Sequence, residues 1–388
     1  MNADTNRDPA AGAAGVGDNV LLTGATGFLG SEIMKRILQR HPRTRLAVLV
    51  RSTPRDTARE RIDRQLLRTF GPEEANRHRD RIEVVEGDIA HKGLGIDSER
   101  VAKLVPRVDQ VIHCAATIRF DLALDVARRD NTEGTRNVLA FAESLPSLGR
   151  FDYIGTAFVA GDRRGIIKED ELDLGQHFSN SYEQTKMEAE KLVREFAERH
   201  PTAIYRPSVI VGSSQTGETS SFQGFYQALL FYRRLYARKL VVLLPADPNT
   251  PLDLVPVDYV VDALFALMHT TKSLGRTFHL ASGPGNTCTV DEIVKMLADF
   301  TGVKQPPYVS KQAYKSVLRP ILRTLMFWDS RVEIVRKAET YWPYAWSNLL
   351  FDKTNTNTVL NGSGITTPHV RSYFIKLLEY QAKALRIL

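Results

Sequence analysis

Between residues 18 and 116, short apolar runs alternate with longer stretches whose apolar side chains recur every three or four positions. The run ending in LLT at 21–23 gives way to GATGFLG. SEIMKRILQR then follows with a helical period and is expected to end near His41-Pro42. RLAVLVR at 45–51, RIEVVEGDI at 81–89 and VDQVIHCAA at 108–116 predict three further strands. A long basic amphipathic stretch and the helical SERVAKLVPRV separate them. Strands apolar throughout, with helices between them, predict a parallel sheet covered on both faces. The expected fold class is α/β, a doubly wound parallel sheet with a smaller, discontinuous C-terminal domain. In such a sheet the ligand lies beyond the carboxyl ends of the strands.

The glycines Gly24, Gly27 and Gly30 sit between strand and helix, the context that a nucleotide-binding turn of Rossmann type requires. Glycine admits close backbone approach, and the helix that follows offers free N–H groups to a pyrophosphate. Thr23, Gly24, Thr26, Gly27, Phe28, Leu29 and Gly30 are therefore expected to contact a dinucleotide. A tight surface turn before an unrelated helix is the alternative. The second strand ends at Arg51, where NAD-binding domains usually carry an acidic residue for the ribose. A guanidinium there pairs with a 2′-phosphate, so NADPH is the expected cofactor. A solvated arginine is the bland reading. Asp88, with Ile89, follows the third strand and could accept from the adenine amino group or cap the next turn. Ala115 and Ala116 end the fourth strand beside the cofactor.

FDYIGTAFVAG at 151–161 predicts a strand that delivers Thr156 at its end. SNSYEQTKMEAEKLVREF at 179–196 opens a strongly amphipathic helix with Tyr182 and Lys186 four residues apart, on one face. A lysine ammonium near a nicotinamide can lower a phenol pKa and hold the cofactor ribose. The phenol can then donate a proton to an oxygen that gains charge. Thr156 would supply a second donor to that oxygen, unless its hydroxyl serves local backbone bonds. Asn131, in RRDNTEGTRNVLAFA, is a candidate to support the lysine through backbone and water contacts, or an ordinary polar helix residue. His113 and Cys114 are expected to be wall residues, with Cys114 an inert thiol.

Past residue 206 the regular alternation fades. Residues 213–250 begin polar and become aromatic and basic, a surface suited to an acyl chain and a phosphorylated arm, or a core helix with a solvated side. DLVPVDYVVDALFALMHT at 253–270 is expected to return to the nucleotide domain, with Asp258 near a helix start. The expected organisation is a disordered leader over 1–17, a nucleotide domain over 18–205 with a return segment at about 253–275, and a mainly substrate-binding domain over 206–388. CTVDEIVKMLADFTG carries a Thr289 cap. RPILRTLMFW and HVRSYFIKLLEYQAKALRIL are amphipathic and basic. They fit packing within the domain, or peripheral contact with a membrane surface.

Composition removes several classes. The formal charge of +7 favours anionic partners, but no nucleic-acid recognition module is recognisable. Two cysteines far apart make no disulfide framework, and no cluster suggests a metal site. No apolar run is long enough to span a bilayer, and the polar leader lacks the core of a signal peptide. The cytoplasm is the expected compartment, with membrane association left open, and no signal bears on oligomeric state.

TGATGFLG, GDI, HCAA, NTEGTRNVL, Thr156, YEQTK and IYRPSVIVG together resemble the extended short-chain dehydrogenase/reductase family over nearly all of the chain after the leader. That resemblance implies catalysis by Thr156, Tyr182 and Lys186, with Arg206, Pro207 and Ser208 leading toward the nicotinamide. Within the superfamily, HCAATIRFD, the LVR strand, DLVPVDYVVDAL and FDKTNTNTVL are similar to fatty acyl-CoA reductases and to thioester-reductase domains of carboxylic acid reductases and peptide synthetases. The implied reaction is NADPH-dependent reduction of an acyl thioester, on CoA or an acyl carrier protein, to an aldehyde and in some members an alcohol. Gly155 departs from the pattern, which commonly has serine before the threonine. Adenylation and carrier domains are not recognisable, so a stand-alone enzyme is expected. The rival enzyme is an NADP-dependent ketone or aldehyde reductase using the same three residues. A sugar-nucleotide epimerase or dehydratase, and a non-catalytic NADP-sensing protein, are the remaining accounts.

Overall fold

The computed structural model describes residues 16–222, 224–227, 229–230, 243–302, 304–321 and 341–385. The aromatic basic stretch at 231–242, most of RPILRTLMFW and residues 1–15 of the expected leader lie outside the described residues. Gly17, assigned to the leader by sequence, is tied to the sheet: its N–H donates to Gln110 Oε1 at 2.6 Å and its carbonyl accepts from Thr44.

Seven parallel strands form the central sheet: β1 (Asn19–Thr23), β2 (Arg45–Val50), β3 (Ile82–Glu86), β4 (Gln110–His113), β5 (Arg150–Ile154), β6 (Thr202–Pro207) and β7 (Thr277–Leu280). Their order is β7-β6-β5-β4-β1-β2-β3, so the direction of winding reverses between β1 and β4. The expected return segment thus runs on past residue 275 to supply the seventh strand, which pairs with β6.

Helices α1 (Phe28–Arg40), α2 (Ala58–Arg79) and α7 (Val257–Met268) cover one face; α3 (Ser98–Leu104), α5 (Gly134–Glu143) and α6 (Ser181–Ala197) cover the other. The short α4 (Leu124–Arg128) leads into α5 through a π turn at Arg129–Glu133. Side chains alternate across a strand, so β1 feeds both cores. Val20 and Leu22 pack with Ile33, Ile37, Ile62 and Leu264, while Leu21 packs with Val138, Phe151 and Val193. Each side chain of this size contributes roughly 1.5–3 kcal/mol when fully buried.

The basic stretch forms α2, started by a reciprocal cap in which Thr57 Oγ1 accepts the Glu60 N–H and Glu60 accepts the Thr57 N–H. It breaks at Gly71, whose φ of +74° is open to glycine and closed to most residues, just before Pro72. In the C-terminal half, α8 (Val290–Thr301) has the expected Thr289 cap, and α9 (Thr354–Leu360) precedes α10 (Phe374–Ala384). Phe374, Leu377 and Leu378 of α10 are buried against Ile293, Leu297 and Tyr226. The apolar face of the last amphipathic helix is spent on packing inside the molecule. Among the described residues no helix is long and apolar enough to cross a membrane.

The strands are not apolar throughout. Asp152 on β5 is fully buried and accepts from Arg150 Nε (2.8 Å), Gln110 Nε2 (2.7 Å) and the Tyr205 hydroxyl (2.8 Å). Arg150 also donates to Ser273 Oγ at 2.7 Å, which joins β4, β5, β6 and the approach to β7 in one satisfied network. Removing one partner of such a pair leaves a buried charge uncompensated. Asp152→Ala should therefore cost about 3–5 kcal/mol in urea unfolding. A change below about 1 kcal/mol would show that the network is not holding these strands together.

Candidate active site

The carboxyl ends of β1, β4, β5 and β6 and the first turns of α1 and α6 converge at the reversal point. Gly24 has φ +78°, and a Cβ there would lie 2.7 Å from Ala115 N and 2.8 Å from Cys114 C. A Cβ on Gly30 would lie 2.1 Å from Gly24 O. Both positions must be glycine for the turn to pass between β4 and α1. Gly27, the residue before α1, makes no side-chain cap, which leaves the positive end of a thirteen-residue helix facing the crevice. This cradle fits the diphosphate of a dinucleotide.

Thr23 ties the end of β1 to the end of β4. Its Oγ1 accepts the N–H groups of Cys114 (3.2 Å) and Ala115 (3.1 Å) and lies 2.8 Å from His113 Nδ1. With both lone pairs engaged, the hydroxyl proton goes to Nδ1, and His113 Nε2–H donates to Thr135 Oγ1 at 3.0 Å. Burial, with Lys186 nearby, lowers the His113 pKa to about 3, so the ring is a neutral spacer in the wall. Burial raises Cys114 to about 12, against the opposing pull of Lys186, and makes it an inert thiol.

Arg51 is exposed at the end of β2, 3.7 Å from Asp88 Oδ2. Asp88 Oδ1 accepts the Ala90 N–H at 3.0 Å, so the carboxylate caps the turn after β3. Ile89 fills the space left by Gly134 and its carbonyl accepts from Asn137. Arg61, which sequence reasoning did not single out, joins these parts. It donates to Arg51 O at 2.6 Å and to Thr26 Oγ1 at 3.0 Å, linking α2, the end of β2 and the glycine turn. Its membership of a basic amphipathic run was the available signal.

Tyr182 and Lys186 lie in the first two turns of α6, whose N-cap Asn180 accepts the Glu183 N–H. Thr156 follows β5, near enough to the Tyr182 phenol to draw its pKa down. Its hydroxyl accepts the Phe158 N–H at 3.3 Å, the local backbone use. Burial pushes the phenol up to about 12, Thr156 opposes this, and Glu183 and Cys114 add to it. Lys186 is buried, donates to Ile154 O at 3.0 Å and stands 4.4 Å from the centre of the Tyr153 ring. Burial lowers its ammonium to about 8, against Cys114 and Glu190, which favour the charge.

One turn beyond Lys186, Glu190 is fully buried. Burial would raise its pKa, but Arg206 and Arg194 outweigh that and hold it below the ordinary carboxylate value. Arg206 donates to Glu190 through Nε (2.9 Å) and Nη2 (2.7 Å), fastening α6 to β6. Gly155 belongs to this arrangement: a Cβ there would come within 3.3 Å of Tyr153 and Tyr205 O and 3.4 Å of Glu190.

Asn131 and Ser208 each have a side-chain partner within the protein. Asn131 Oδ1 accepts the Thr117 N–H at 2.8 Å and its Nδ2 donates to Thr185 Oγ1 at 3.0 Å. It braces the loop after β4 against α6 from within the π turn. Ser208 follows Pro207 at the end of β6, and its hydroxyl donates to buried Asp253 at 2.5 Å. Asp258 opens α7 and accepts from Ser214.

A glycine cradle at the sheet reversal beside a Thr-Tyr-Lys group is the layout of the extended short-chain dehydrogenase/reductase class. The family model described as Male sterility protein matches residues 22–264, and the chain belongs to that family. Human fatty acyl-CoA reductase 2 is 27% identical over 323 residues, covering 73% of this chain and 62% of its own length. A nonribosomal peptide synthetase of Aspergillus flavus is 26% identical over 368 residues, covering 89% of this chain and 34% of its own. The terminal R domain of the myxalamid PKS-NRPS pathway is 27% identical with a TM-score of 0.78, covering 94% of this chain and 90% of that domain. The chain thus spans about three fifths of the acyl-CoA reductase and a third of the synthetase.

Lys186 carries its charge below about pH 8 and loses it above. In assays of reduced-cofactor oxidation, kcat/KM should decline as pH rises through about 8. The residual activity of Lys186→Met should lack this decline. A wild-type profile flat across that range would contradict a role for the lysine charge.

Proposed function

We propose that this chain is an NADPH-dependent reductase of acyl thioesters, borne on CoA or on a carrier protein, that yields an aldehyde and a free thiol. The observation that carries the reading is the grouping of Thr156, Tyr182 and buried Lys186, with Thr156 drawing the phenol pKa down and Lys186 donating to Ile154 O at the end of β5. The names of the acyl-CoA reductase and R-domain relatives supply the substrate class.

Arg51 and Arg61 favour the phosphorylated cofactor. Arg61 brings one guanidinium to Thr26 of the glycine turn, and Arg51 stands exposed at the end of β2, so a 2′-phosphate on the adenosine ribose would find positive charge there. The Arg51–Asp88 contact at 3.7 Å is exposed and weak, so the arginine is free to turn to an anion. When bound, the reduced nicotinamide supplies the hydride.

Thr156 and Tyr182 hold the carbonyl oxygen of the thioester, whose charge grows as the carbon is reduced. A phenol raised to about 12 stays protonated at neutral pH and gives its proton to that oxygen rather than to solvent. Lys186, held by Ile154 O, stabilises the phenolate that results. The carbon–sulfur bond then breaks as the oxygen returns its proton to Tyr182, and sulfur leaves as a thiolate that takes a proton from solvent to give the thiol. Reduction of the aldehyde to an alcohol would repeat the first half of the cycle.

NADPH oxidation with long-chain acyl-CoA should be matched by thiol release in equal amount, while oxidation with aldehyde alone would favour the carbonyl-reductase account. Tyr182→Phe should lower kcat by roughly a hundredfold or more, with the NADPH dissociation constant within about twofold of wild type. Turnover near wild type would remove Tyr182 as the proton donor. Arg51→Ala should weaken NADPH by about tenfold and NADH little, read by cofactor fluorescence. Equal losses for the two cofactors would reject the phosphate contact.

A further inference from the structure

The first turn of α6 is held by a ring of side chains that reaches into the distant C-terminal half. Asn180 Nδ2 donates to the Tyr344 hydroxyl at 2.8 Å, and that hydroxyl donates to Glu183 Oε1. Glu183 Oε2 accepts the Ser179 N–H at 2.8 Å, while Asn180 Oδ1 accepts the Glu183 N–H at 3.0 Å. Glu183 is 2% exposed. Burial raises its carboxyl, and the Tyr344 hydroxyl is the largest influence opposing that rise. A buried carboxylate deprived of such a donor carries the full penalty of its lost hydration.

A second path between the same parts is aromatic. The Tyr344 ring lies 5.8 Å from Phe120, and Phe120 stacks on Tyr182 at 5.5 Å and 28°. The Tyr344 ring also meets Phe158 edge-on at 5.2 Å, the residue whose N–H is accepted by Thr156. Tyr344 therefore touches the supports of both oxygen-holding groups. It comes from the short turn Trp342–Trp346, to which no motif drew attention.

We propose that Tyr344 is a positioning residue for Tyr182: its hydroxyl locks the start of α6 through Asn180 and Glu183, and its ring backs the Phe120 stacked on the phenol. The reducing centre is then assembled from two distant parts of the chain and is complete when the 342–346 turn is docked. This inference rests on Tyr182 being the proton donor proposed above.

Tyr344→Phe keeps the ring and removes the hydroxyl. Its kcat should fall by about tenfold, with KM and the NADPH dissociation constant within about twofold of wild type. In a Tyr182→Phe background the same change should cost nothing further, because its effect passes through the phenol. Turnover within twofold of wild type, or an equal loss in both backgrounds, would overturn the proposal. Should Tyr344→Phe not fold, Asn180→Ser keeps a helix cap but removes the donor to Tyr344, and it should show the same split and the same dependence on Tyr182. Rates are read with whichever of acyl-CoA or free aldehyde the wild type reduces. A wild type that reduces aldehyde alone rejects the thioester reading and leaves this test standing.

Discussion

The buried pair Arg206–Glu190 is the constraint on which the site's geometry depends. Glu190 alone would be an untenable charge in the core, and so would Arg206. Their two short contacts set the distance between α6 and β6. Arg206 also donates to Glu171 O at 2.8 Å and Arg194 donates to Glu190 at 3.1 Å, so the pair has few alternative arrangements. Lys186 sits one turn before Glu190, and Pro207 follows Arg206 directly. The pair therefore fixes a reacting group and a strand end at once. Gly155 yields the space that this arrangement occupies.

Much of the sheet was legible in sequence because its signals are local. An apolar run, a glycine turn and a helical period occupy consecutive residues, and β1, α1 and β2 follow them. The Thr-Tyr-Lys group was legible because a helix brings positions four apart onto one face. Partners that are distant in sequence were not legible. Thr23 binds the backbone of Cys114 and Ala115, Ser208 binds Asp253, and the Asn131 side chain binds Thr117 and Thr185. In each case the residue type announced a hydrogen bond and the chain fold chose its partner. Arg150 and Asp152 show the same limit in the core, since a strand pattern does not reveal a charge pair satisfied across three strands.

The polar interior serves two different purposes. Around His113 the network is neutral: Thr23 gives its proton to the imidazole, the imidazole gives one to Thr135, and the ring does not titrate at working pH. Around Lys186 the groups are charged and the balance is finer, with burial drawing the ammonium down and Glu190 holding it up. A titrating lysine beside a silent histidine places the pH response of this part of the sheet on Lys186 rather than on the wall behind it.

The short strand Val209–Val211 pairs in parallel with Leu254–Pro256, directly before α7 carries the chain back toward β7. The described residues that follow Val211 and those that precede Leu254 thus depart from and rejoin opposite ends of one short parallel ladder. For a loop closed in this way, each doubling of length adds only about 0.6 kcal/mol of closure entropy. Part of this segment is itself core, since Tyr226 and Leu229 pack with Phe374 and Leu377 of α10. Length added outside those contacts would leave the Arg206–Glu190 spacing of α6 and β6 untouched, so the strand ends and the segment that follows β6 answer to separate constraints.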